Sequence, residues 1–174
     1  MGPGRFVLFA LTGVTCLACD SPTEPADVPV VSMSSVGSIE FDVRGHFDRP
    51  VEEAYFTDEQ IYANMLIALP QDGGERIRKV RMNVTCPGGM PLGTTRFAHH
   101  DDRCQAEFMF ATIAGGILFF RGVSTELRVS EGAAGRRTGR LASTLRQYVP
   151  GSDAPFVIGG YQVAIQMEFD LPGR

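Results

Sequence analysis

Tyr161-Gln162-Val163-Ala164-Ile165-Gln166-Met167-Glu168-Phe169-Asp170-Leu171 is the stretch whose reading decides the fold. Tyr161, Val163, Ile165, Met167, Phe169 and Leu171 fall on one side of a period of two, and Gln162, Gln166, Glu168 and Asp170 on the other. Alternation of this kind makes a strand with one dry and one wet face, because successive side chains of an extended chain point in opposite directions.

The same period recurs towards the N-terminus. Val80, Met82, Val84 and Cys86 form an inward row, with Lys79, Arg81, Asn83 and Thr85 outward, and Pro87-Gly88-Gly89 ends it. Cys104, Ala106, Phe108 and Phe110 form another, closed by Gly115-Gly116. Ile39, Phe41, Val43, Gly45 and Phe47 oppose Glu40, Asp42, Arg44 and His46, which puts His46 on a solvated face. Ile117 to Ser130 reads as one long strand with Ile117, Phe119, Val123, Leu127 and Val129 in phase. Arg121-Gly122 interrupts it as a β-bulge would, and that bulge turns Arg121 outward. Gly139 to Val149 adds a further strand.

Ile61 to Leu69 reads two ways. Thr57 and Gln60 have the spacing of a helix capping box, and Ile61, Met65 and Leu69 recur at i and i+4. Ile61, Ala63, Met65, Ile67 and Leu69 also form an inward row at period two, and the neighbouring strands favour that reading. About eight strands separated by Gly or Pro turns predict an all-β, single antiparallel β-sandwich over residues 36-174, with a small calycin-like β-barrel as the alternative.

The N-terminus is different. Arg5 is the only charge before Asp20, Phe6 to Val14 is nearly all apolar, and small residues lead to Cys19. This is the order of an export signal. Its apolar stretch of about ten residues is half of the roughly 20 that a membrane-crossing helix needs. Asp20 to Ser35 is rich in Pro, Ser, Thr and acids, so residues 1-18 read as a signal peptide and 19-35 as a flexible tether. Leu17-Ala18-Cys19 resembles the lipobox of bacterial lipoproteins, with Cys16 departing from the usual Leu. That resemblance implies a diacylglyceryl group on Cys19, cleavage just before it, and a place in the bacterial cell envelope, on its periplasmic or extracellular face. Asp20 resembles the signal that retains some such proteins in the inner membrane. Ordinary cleavage and secretion is the alternative.

Composition bounds the partners. The chain of 174 residues carries a formal charge of −4, and losing Arg5 with the signal takes it to −5. The basic run Arg76-Ile77-Arg78-Lys79-Val80-Arg81 alternates with apolar residues as a strand face does, so no nucleic-acid partner is expected. Export and the inward ends of two strand rows together predict a Cys86–Cys104 disulfide.

His99-His100-Asp101-Asp102 offers imidazoles and carboxylates for zinc or another divalent metal. Adjacent residues diverge on a strand, so a metal site there requires an irregular loop. Nucleophile-elbow, phosphate-loop and histidine-glutamate metalloprotease motifs are absent, and Asn83-Val84-Thr85 is a glycosylation sequon only on a eukaryotic route. The expected function is therefore a non-catalytic, lipid-anchored domain binding an envelope protein, glycan or small ligand, with no cofactor. The alternative is a metal-binding protein or enzyme using the His99–Asp102 loop.

Overall fold

The computed structural model describes residues 28–39, 42–46, 53–66, 77–152 and 156–174, with 42–46 as backbone only. The signal peptide, Cys19, the first part of the expected tether, the side chain of His46, and Ile67 and Leu69 lie outside the described residues.

The described chain is antiparallel β-structure. Its strands are β1 (Val30–Gly37), β2 (Asp42–His46), β3 (Ala54–Phe56), β4 (Gln60–Leu66), β5 (Ile77–Thr85), β6 (Gly93–Phe97), β7 (Gln105–Thr112), β8 (Ile117–Glu131), β9 (Arg137–Tyr148) and β10 (Gln162–Leu171). All ten belong to one sheet in the order β2-β1-β10-β9-β8-β7-β5-β4-β3, with β6 added beside β8. The sheet curls into a half-barrel, an arrangement consistent with a sandwich or a barrel. Its far edge returns to the C-terminal tail. Phe56 N–H donates to the Pro172 carbonyl at 3.0 Å, and Arg174 N–H to the Phe56 carbonyl at 2.9 Å. No helix among the described residues is long and apolar enough to cross a membrane.

Alternation puts one face of each strand into a single core. In β10, Val163, Ile165, Met167, Phe169 and Leu171 are buried as their spacing predicts, and so are Val80, Met82, Val84 and Cys86 leading out of β5. Phe108, Phe110 and Phe120 fill the middle, with the last two rings 4.7 Å apart. Buried aromatics at this separation add attraction beyond their area burial.

Ile61, Ala63 and Met65 are buried in a strand, which settles the ambiguous segment as β4. Thr57 and Gln60 do not cap a helix. Thr57 N–H donates to the Gln60 carbonyl at 2.8 Å, closing the turn between β3 and β4.

Two expectations need correction. The tether drawn to residue 35 overlaps β1, where Val31 and Met33 are 1% and 0% exposed and pair with Phe169 and Met167. The serines conceal a strand whose inward positions are filled by only a few apolar residues. The second correction is the phase of β8. Phe120 and Gly122 are buried before the bulge, and Thr125, Leu127 and Val129 after it. Ile117 is 54% exposed, and Phe119 and Val123 are half-buried. The register slips between Gly122 and Ser124, so Val123 is the extra residue and the inward parity changes there.

Gly122 makes the slip possible. A Cβ at this position would lie 2.5 Å from Thr125 Oγ1 and 3.0 Å from Ser143 Oγ. Those two buried hydroxyls bond to each other at 2.7 Å, which offsets the cost of burying both.

Candidate functional site

Cys86 and Cys104 form a disulfide. Thr85 of β5 pairs with Gln105 of β7, so the next pair outward brings the two cysteines together, with Cα atoms 4.2 Å apart. Both are buried, and the Met90 sulfur lies 3.7 Å from that of Cys86. The bridge closes the segment that carries β6 and His99. β6 was not legible as a strand: four of its five residues are Gly, Thr or Arg, and among them only Phe97 is buried.

The main polar feature lies on the outer face of β7, β8 and β9. Strand register sets Glu107, Arg121, Arg146 and Gln162 in one row across four strands. Arg121 points outward, as a bulge reading requires, and donates to Glu107 Oε1 at 2.8 Å. Tyr148 O–H reaches the same oxygen at 3.3 Å, and the Arg121 guanidinium lies 4.4 Å from the Tyr148 ring centre. Burial works against the charge on Arg121, but the hydrogen bond and charge of Glu107 outweigh it and raise its pKa. Burial, followed by the Glu107 charge, also raises the Tyr148 phenol. One donor of the cluster is left over: Arg121 Nε is buried with no hydrogen-bond partner.

The His99 loop joins this cluster from the side. His99 packs edge-on against Phe156 at 4.8 Å and against His100 at 4.9 Å. Arg146 lies over the same Phe156 ring at 4.8 Å. Burial first, then the positive charges of His100, Arg121 and Arg146, hold His99 below the ordinary histidine pKa.

The four residues expected to bind metal do not converge. Arg103 takes both oxygens of Asp101, at 3.0 and 2.7 Å, and its own N–H adds a third bond at 2.9 Å. These bonds pull the Asp101 carboxyl down to about 2. Asp102 is exposed, and His99 is packed on Phe156. Among the described residues no group of three or more His, Cys, Asp or Glu side chains is placed to hold a metal ion.

Beside the cluster runs a groove of about 620 Å³ over the bulge. Ala98, Val123, Ser124, Ala142 and Thr144 line it, and the Arg96–Glu126 ion pair (2.6 Å) bounds it. Small side chains leave the groove open, and the hydroxyls of Ser124 and Thr144 make it polar. Arg146 had no distinguishing mark in the sequence, since its importance depends on which residue β8 places opposite it. Compared with known protein families, curated proteins and solved structures, the chain matches none.

Proposed function

We propose that this chain is a non-catalytic binding domain of the bacterial cell envelope, tethered to the membrane through a lipid on Cys19. The observation that carries the reading is the buried Cys86–Cys104 disulfide. A paired, buried disulfide belongs to an oxidising compartment, which is where an export signal ending in Cys19 delivers a chain. The inward rows are apolar, so the outer face, with its charged and hydroxyl side chains, is where a polar ligand meets the domain. There the groove over the bulge and the Glu107–Arg121–Tyr148 cluster form the binding surface.

Metabolic labelling with a fatty-acid probe in a bacterial host tests the anchor. The wild-type chain takes up label and fractionates with membranes, and Cys19→Ala does neither. Equal labelling of the two proteins would refute it.

A further inference from the structure

The outer face sets two like charges directly against each other. Arg121 of β8 and Arg146 of β9 are cross-strand partners in register, an arrangement that costs free energy unless something compensates it. Glu107 compensates Arg121. Nothing comparable serves Arg146, which has no carboxylate partner among the described residues and faces the neutral Gln162 on its other side. The contrast along the same strand is direct. Arg140 also faces an arginine, Arg128, but it sits opposite Glu168 on β10 and donates to Gln166 Oε1 at 3.0 Å.

Both guanidiniums of this pair are held in place. Arg121 lies on Tyr148 and Arg146 on Phe156, so little side-chain entropy remains to be lost when they grip a ligand. His99 packs on the same Phe156 ring as Arg146 and helps to fix that ring in place. The neighbouring groove continues from the pair along the same two strands: Val123 and Ser124 follow Arg121 on β8, and Thr144 precedes Arg146 on β9. It offers hydroxyls and short side chains to a neutral, hydrogen-bonding body.

We infer that Arg121 and Arg146 form an oxyanion-binding site, and that the ligand is an acidic sugar. Its carboxylate or phosphate bridges the two guanidiniums and its hydroxylated ring lies in the groove past Ser124 and Thr144. This inference rests on the groove being the binding surface. Guanidinium forks match carboxylate and phosphate oxygens in geometry as well as charge, and that match gives the site its selectivity over neutral sugars.

Calorimetric titration of the purified full chain in detergent tests the assignment, with a galacturonate oligomer, a sugar phosphate, inorganic phosphate and a neutral glucan of equal length as probes. The acidic oligomer or the sugar phosphate binds, the neutral glucan binds at least tenfold more weakly, and inorganic phosphate alone is weaker than the sugar phosphate. The preferred acidic probe identifies whether carboxylate or phosphate is the source of the charge. Arg146→Gln weakens acidic-probe binding about tenfold or more, while Arg140→Gln on the same strand leaves it unchanged. Circular dichroism confirms that both variants are folded, and exposure of Arg146 and Arg140 makes that the expected result. Equal binding of the neutral glucan, unaffected by Arg146→Gln, would overturn the oxyanion site and leave the groove as a binding surface. No binding of any sugar would overturn both, whereas the Cys19 labelling result stands independently of either.

Discussion

At the scale of single residues, His99 carries the most informative electrostatics. Its imidazole shares Phe156 with Arg146 and stands within the field of Arg121 and His100, so the folded chain resists protonating it. The unfolded chain takes up that proton near the usual histidine value of about 6.5. Because the folded-state pKa is the lower one, the neutral ring causes no loss of stability above the unfolded value. Stability is lost as pH falls through that value towards the folded one, since the unfolded state then binds more protons. His99→Gln therefore flattens the fall in stability just below pH 6.5 relative to wild type. Urea denaturation across pH 5 to 8 measures it, and identical slopes in the two proteins would contradict it. Arg121 teaches a related lesson. Its position in the sequence suggests an inward charge, and only the adjacent bulge tells that it faces Glu107 outside the core.

Among the elements, β7 and β10 were legible because each alternates without interruption and buries every second residue, and β5 because it does so from Val80 onward, past the irregularity between Ile77 and Lys79. β1 was not, because Ser32, Ser34 and Ser35 surround its buried Val31 and Met33, and a serine-rich stretch reads as solvated chain. The acceptor edge of β10 overrides that local preference: β1 lies along it from Val30 to Gly37. β8 was legible as a strand but misread in phase, since a period-two count cannot detect where an extra residue enters. The candidate site was half visible. His99, His100 and Arg121 stood out by residue type, whereas Arg146 gained meaning only from strand pairing. The disulfide belongs to this scale too, because it locks the end of β5 to the start of β7 around β6. Closing 18 residues of chain restricts the unfolded state by roughly 3 kcal/mol. Cys86→Ser with Cys104→Ser should lower unfolding free energy by about that amount in urea titrations. In the unreduced, unfolded wild type neither thiol should react with a thiol reagent.

At the scale of the molecule, one curled sheet covers one core, and β8 runs through the middle of it. Its first half pairs with β7 and its second with β6, while β9 lies along its other edge. Val123 sits where the two halves meet, and it works as a frame shift written in the backbone rather than in the gene. Removing this one residue would restore strict alternation from Ile117 to Glu131 with Phe120, Gly122, Thr125, Leu127 and Val129 all still inward, and with Gly122 and Ser124 keeping their partners on β9. The extra residue is therefore there for the bend and twist that it gives the strand between its two partners, not for burial. An in-frame deletion of the Val123 codon should leave a chain that still unfolds in one cooperative thermal transition, as Val123→Ala should, and loss of that transition on deletion would contradict this. What Val123 sets is the direction of the strand, at no cost to the core.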